Sequence, residues 1–247
     1  MKKEFVKTDN DKRFRAALKQ KESRGAAESG LIVVHGRAGE GKTRTLHNWA
    51  SACNAVMLTA NPAWTVRRMM VELAEQFQIV VKGPWEAAVE ARIGAEEVNL
   101  VIDEAGFALA DNAACLERLR SITDKSGTLL VMAVMERDMS RLKQHDQITS
   151  RATLCPFGAS TVEDVKTACA QLTELDFAAD LVERIWHDSG ARMRLIVEGI
   201  HLSERVARAA GKTSVAAADL AGYALCEDFN LVRRTPTPKA ARAGGKA

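Results

Sequence analysis

Apolar residues in this chain follow two rhythms. Short unbroken runs rich in β-branched residues stand at 31–36 (LIVVHG), 55–60 (AVMLTA), 98–106 (VNLVIDEAG) and 128–135 (TLLVMAVM), with a shorter one inside ATLCPF at 152–157. Runs of this length bounded by Gly, Pro or acids predict strands buried on both faces. Between them, apolar positions recur at helical spacing in KTRTLHNWASAC, in WTVRRMMVELAEQFQI after the breaker Asn61-Pro62, in WEAAVEARIGAEE, and in DNAACLERLRSITDKSG with its acidic start and glycine stop. Strands alternating with helices predict a parallel sheet covered by helices on both sides. From Ser160 onward the rhythm is helical only: STVEDVKTACAQL, FAADLVERIWHDSG, ARMRLIVEGIHLSERVARAAG and SVAAADLAGYALCEDF, with no strand expected between them.

The pattern therefore predicts a basic N-terminal segment (1–28), an α/β domain (29–158), a small all-helical domain (159–229) and a disordered tail (230–247). A length of 247 residues suffices for one main domain and a lid. No apolar run approaches the ~18–20 residues of a membrane helix, and no apolar segment follows the charged start, so a cytoplasmic protein without membrane contact is expected. The 5 cysteines are scattered without a paired spacing and read as reduced core residues. Net charge is only +3, but Lys and Arg concentrate in the first two dozen residues and in the tail RRTPTPKAARAGGKA, which has no acid. Those ends are candidates for nucleic-acid contact or for solvated faces.

One stretch carries chemistry. Gly36-Arg37-Ala38-Gly39-Glu40-Gly41-Lys42-Thr43, with Arg44 following, is a complete G-x-x-x-x-G-K-T between a predicted strand and a predicted helix. That context is the one a phosphate-binding loop requires. The glycines let backbone N–H groups turn toward phosphate oxygens, and the helix start adds its positive end. Lys42 is placed to reach the outer phosphates and Thr43 to hold Mg²⁺. Asp103 ends the third apolar strand, where it can hold the same Mg²⁺ shell, and Glu104 follows. A carboxylate there can polarise an attacking water, which argues for ATP hydrolysis and against a nucleotide kinase or small GTPase.

With these residues in view, the chain resembles the AAA+ ATPases of DNA transposition: the MuB-type target-selection proteins of Mu-like phages, the TnsC proteins and the IstB helper ATPases. GRAGEGKT, VIDEA and a helical lid carry the generic likeness. FVKTDNDKRF before the first strand, NPAWTVRRMMVELAEQF after the second and ITSRATLCPF before the last carry the more specific one. The resemblance implies an AAA+ fold, ATP and Mg²⁺ as cofactors, and a Thr/Asn-bearing segment near the adenine. It implies that Arg151 is an arginine finger reaching into a neighbouring subunit, and that Arg194 (rather than Arg192) is the lid arginine on the nucleotide. It further implies homo-oligomers, rings or helical filaments, on double-stranded DNA in the bacterial nucleoid, a DDE transposase as partner, and Arg67, Arg68 and Lys82 facing the DNA. Trp64 and Trp85 read as packing residues. Two departures stand out. Met135 occupies the end of the fourth strand, where the family commonly has a polar residue to orient water, so either Glu136 substitutes or hydrolysis is slow. And about 30 residues precede the first strand, too few for the extra helix-turn-helix domain of MuB. A helicase-loader or replication-initiator ATPase shares every nucleotide residue and stays open as an alternative, as does an NTPase switch without a DNA role.

Overall fold

The computed structural model describes residues 1–23 and 30–226. Five strands, β1 (Leu31–Gly36), β2 (Ala55–Thr59), β3 (Asn99–Asp103), β4 (Leu130–Met135) and β5 (Ala152–Pro156), form one all-parallel sheet in the order β2-β3-β4-β1-β5. Register places Gly36 opposite Met135, Thr59 opposite Asp103, and Leu31 opposite both Leu130 and Ala152. The C-terminal ends of β3, β4 and β1 thus lie side by side, at the edge where ligands bind in open α/β sheets.

Strand residues alternate between two cores. Leu31, Val33, Leu100, Ile102, Leu130, Met132 and Val134 face α3 (Val66–Gln76), α4 (Trp85–Ala95) and α5 (Ala110–Ser126). Ile32, Val34, Val101 and Val131 face the opposite core, which includes Leu46 of α2 (Lys42–Ala52) and Phe14 and Leu18 of α1 (Asp9–Glu22). Both faces being covered explains why the strand sequences are continuous apolar runs.

α1 is absent from the sequence-based expectation, which treats 1–28 as a basic segment. Thr8 caps it by accepting from Asp11 N, and Phe14 packs edge-on against Trp49 with ring centroids 5.6 Å apart. Only a sparse set of apolar side chains faces inward among many charges, so no strong helical period is visible. Phe14 is 1% exposed, and Phe14→Ala is expected to destabilise the whole domain by about 3 kcal/mol in a denaturant titration. An N-terminal segment merely resting on the surface would show almost no change.

α5 also departs from expectation. Its start at Asp111, Asn112 and Ala113 is left-handed (φ 47, 56 and 57), and the right-handed helix begins after them. Two short helices, α6 (Met139–Leu142) and α7 (Asp146–Thr149), link β4 to β5.

The C-terminal part comprises α8 (Val162–Leu172), α9 (Ala179–Asp188) and α10 (Met193–Ala209) around a separate core, to which Val6 of the N-terminal segment contributes. It is not all-helical. β6 (Asp176–Phe177) and β7 (Ser214–Val215) pair in parallel, and of the helix expected over 214–229 the described part, 214–226, is a strand followed by a 3-10 turn at Ala217–Leu220, while 227–229 lie outside the described residues. Arg184 ties this stretch to α9: Nη1 donates to Ala217 O and Leu220 O, and Nη2 to Tyr223 O, so a side chain thirty-three or more positions away satisfies carbonyls that no α-helix uses here. The expected tail 230–247 lies outside the described residues. Among the described residues no helix is long and apolar enough to cross a membrane. Burial pushes the thiols of Cys155 and Cys169 up to about 11 and about 12, which keeps them neutral and unreactive at physiological pH.

Candidate functional site

The loop after β1 doubles back on itself before α2 begins. Gly39 and Gly41 have φ of +88° and +90°, a conformation side chains resist. Gly36 is required for a different reason: a Cβ there would meet a Glu40 carboxylate oxygen at 2.3 Å and the Phe157 carbonyl at 2.7 Å.

Lys42 is buried beneath the loop, and its Nζ donates to Gly36 O and Arg37 O, each at 2.8 Å. Burial lowers its pKa, while Glu40, Glu104, Asp103 and Glu136 oppose that by favouring the cation. Thr43 is exposed on the cavity side at the start of α2. Asp103, 6% exposed at the end of β3, accepts from Glu104 N at 2.9 Å. Glu104 has φ 50, an uncommon backbone state for a residue with a side chain, concentrated where function over-determines the geometry.

A cavity of about 400 Å³ lies over these groups. It is lined by Ala38, Gly39, Gly41, Lys42, Thr43, Arg44, Asp103, Glu104, the end of β4 through Met135, and Met193, Arg194, Val197 and Glu198 of α10. A smaller cavity of about 150 Å³ adjoins it, sharing Gly41, Arg44, Met193 and Val197 and adding Glu40 and residues of the N-terminal segment, among them Phe5, Val6 and Thr8. The sheet domain supplies one wall, the lid helix another, and the N-terminal segment a third. Met193, Val197, Glu198 and Phe5 were not singled out from sequence. Met193 and Val197, like Arg194 and Glu198, are four apart on α10, so an apolar and a charged stripe of one helix both reach the cavity.

Gly36 and the exposed Arg37 side chain do not line the cavity; they shape the loop through their carbonyls. Glu40 is turned inward, its Oε2 accepting from Arg37 N at 2.7 Å, so it braces the loop and does not face the larger cavity. Arg44 lines both cavities and donates to Glu4 O. Both lid arginines approach the loop: a Cβ on Gly39 would lie 3.6 Å from Arg192 Cβ and 3.7 Å from Arg194 Cβ. Arg194 N donates to Gly39 O at 3.0 Å, and its exposed side chain lines the cavity. Thr8 caps α1 and lines the smaller cavity, whereas Asn10 does not. Its amide instead ties the loop to the domain junction, donating to Glu40 O and Gly158 O and accepting from Gly158 N. Met135 sits in the wall with Sδ 3.7 Å from Lys42 Nζ, while the Glu136 carboxylate is engaged by His35 Nδ1 at 3.0 Å and is not in the wall.

Arg151 is not in this cavity. It precedes Ala152, which pairs with Leu31 at the start of β1, whereas the loop follows the end of β1 at Gly36. Five residues of strand, about 17 Å, separate the two levels, more than an arginine side chain spans. Arg67 and Arg68 are exposed on α3, in a surface groove shared with Glu72 and Glu75, and Arg68 pairs with Glu72 at 3.5 Å. Lys82 is exposed beside Val80, which is 69% exposed. Trp64 and Trp85 are buried in the core, with Trp64 Nε1 on Glu72.

Burial pushes the Glu40 carboxyl above its ordinary value, although the bond from Arg37 N and the charge of Lys42 pull it down. Folding therefore favours the protonated form. The resulting stability is fully present below the ordinary value of 4.5 and is lost as pH rises through the raised one. Glu40→Gln keeps an oxygen for Arg37 N–H and carries no charge. It is expected to raise Tm near neutral pH and to leave it unchanged below pH 4.5; a pH series of melting curves checks this.

No protein-family model matches this chain, and no curated protein matches it. Solved structures do. Cdc6p from Pyrobaculum aerophilum superposes with TM-score 0.65 over 89% of this chain and 68% of its own, at 15% identity. The Thermotoga maritima RuvB Holliday junction branch migration motor gives 0.60 over 88% and 68%, at 18% identity. The Aeropyrum pernix ORC1 protein in complex with DNA gives 0.57 over 87% and 64%, at 15% identity. The fold is that of the AAA+ P-loop ATPases.

Proposed function

We propose that this chain is an ATP-dependent ATPase that assembles on double-stranded DNA, as a ring or helical filament, and recruits or activates a DDE transposase. The residues present fit ATP and Mg²⁺. A buried cation, a loop whose glycines leave room for close approach, a hydroxyl and a buried carboxylate converge on one cavity of suitable size. When bound, Mg-ATP supplies the phosphoanhydride to be cleaved. The loop N–H groups and Lys42 would hold the outer phosphates, and Thr43 and Asp103 the metal shell. The Glu104 carboxylate would accept the proton of the attacking water, and Arg194 would close the lid over the nucleotide. Met135 offers a thioether where a polar group would help align that water, so turnover is slow, as suits an assembly that persists on DNA.

The observation that carries the assembly is the position of Arg151. It lies about 17 Å from the chain's own loop along the strands, so its guanidinium can act at a γ-phosphate only in another copy. DNA contact is supported by the likeness to an ORC1 protein in complex with DNA, with Arg67, Arg68 and Lys82 among the exposed cations. A mildly basic monomer makes few phosphate contacts, so tight binding requires many copies in register. The transposition role rests on the likeness of FVKTDNDKRF, NPAWTVRRMMVELAEQF and ITSRATLCPF to the MuB and TnsC proteins. The structural likeness to Cdc6p and ORC1 favours a second reading, a loader or initiator ATPase.

Electron microscopy with a long duplex separates them. Rings or filaments on duplex DNA with ATP or a non-hydrolysable analogue, and none with ADP or without nucleotide, are expected. Assembly only on single strands or on a helicase would favour the loader. Nucleotide-independent behaviour with no DNA effect would overturn both.

A further inference from the structure

Arg151 is not loose in the single chain. Its Nη1 donates to Asp124 Oδ2 at 2.9 Å, on the last turns of α5. The same oxygen accepts from Arg120 Nη1 at 2.6 Å, and Arg120 is anchored again through Nε and Nη2 on Glu117 Oε2, at 3.0 and 2.9 Å. One carboxylate oxygen therefore serves two guanidinium groups that are held very differently. Arg120 is 16% exposed and bonded to acids three residues before it and four after it on its own helix; Arg151 is 39% exposed and contributes a single N–H. The Arg151 backbone is pinned, since its carbonyl accepts from Lys21 Nζ of α1 at 3.3 Å. Only the side chain can leave.

We propose that Asp124 is a parking site that restrains the Arg151 finger in the unassembled chain, and that Arg120 is the resident counterion that lets the finger depart. This rests on the reading of Arg151 as a residue acting in a neighbouring copy. Asp124 and the neighbour's γ-phosphate compete for one guanidinium. The phosphate carries more charge and offers more acceptor oxygens, so it wins when the two copies meet. When Arg151 leaves, Asp124 keeps its bond from Arg120. The exchange therefore leaves the partly buried Asp124 carboxylate with a cation partner, so departure of the finger costs little. A partly exposed pair of this kind is weak enough to be broken by assembly and strong enough to shift the protein concentration at which assembly begins.

The test is the dependence of ATPase rate on protein concentration, with duplex DNA present, for two variants outside the cavity. Asp124→Asn is expected to lower the half-maximal protein concentration by roughly two- to five-fold with the plateau rate unchanged. Arg120→Gln leaves Asp124 with Arg151 as its ion-pair partner among the described residues and is expected to raise the half-maximal concentration. Opposite shifts are the signature, because simple damage to α5 would move both variants the same way. Shifts in one direction, or a lower plateau for Asp124→Asn without an earlier midpoint, would overturn the proposal; the latter would mean that Asp124 aims the finger and does not restrain it. Arg151→Ala separates the two levels of inference. If it leaves the plateau intact, Arg151 is no finger and the reading beneath the proposal fails. If it abolishes the plateau while the other two variants show no shift, the finger stands and the parking site falls.

Discussion

Replacing Glu104 by Gln is expected to leave ATP binding unchanged and to lower turnover by on the order of 10²- to 10³-fold, the range of a lost general base. The side chain enters the cavity from a residue whose backbone is held in place: φ is 50, its N–H is bonded to Asp103 Oδ1, its carbonyl accepts from Phe107 N, and the next N–H, of Ala105, reaches Ala133 O on β4. Gln preserves size and the polar contacts but cannot take a proton. The buried acid beside it, Asp103, and the Lys42 cation are untouched, so the nucleotide should bind as before. Equilibrium binding of a fluorescent ATP analogue and steady-state phosphate release measure the two halves separately. Turnover within ten-fold of the parent would remove Glu104 from the role and turn attention to Glu198, the other glutamate on the cavity wall.

Lys42→Ala is expected to weaken ATP binding by on the order of 10²-fold, the size of a lost charge-assisted contact, and so to abolish nucleotide-driven assembly. In the described structure Nζ donates to two loop carbonyls, and burial already works against its charge. An anion offered to that buried cation is therefore bound strongly. Lys42→Arg is expected to fail as well. The slot leaves the side chain only 7% exposed, and a planar fork does not fit where a compact ammonium does. Calorimetric titration reads both variants. An affinity within three-fold of the parent for Lys42→Ala would mean that the cavity is not the nucleotide site.

Legibility from sequence follows how local each feature is. β1, β3 and β4 were readable because parallel strands covered on both faces are nearly pure apolar runs, and the G-x-x-x-x-G-K-T loop because its spacing is a backbone requirement confined to eight consecutive residues. α1 was not, since Phe14 and Leu18 are outnumbered by charged residues, of which Lys12, Arg13, Arg15 and Lys19 remain in solvent. The lid strands β6 and β7 are two residues each, and they exist because segments 38 positions apart meet. The described part of the stretch expected as a helix over 214–229 is likewise held from a distance: Arg184 donates to the carbonyls of Ala217 and Leu220.

Sequence alone determined that the chain has a G-x-x-x-x-G-K-T loop between a strand and a helix, two acids at a strand end and alternating α/β elements, because each depends on neighbours in the chain. The tertiary structure decided which groups share a space. Strand order brought the ends of β1, β3 and β4 together, and the lid helix added Met193, Arg194, Val197 and Glu198 to the same wall. Strand register, finally, put Arg151 at the opposite edge of the sheet beside Asp124. Those relations depend on how strands pair and helices pack across the chain, which residue spacing does not encode.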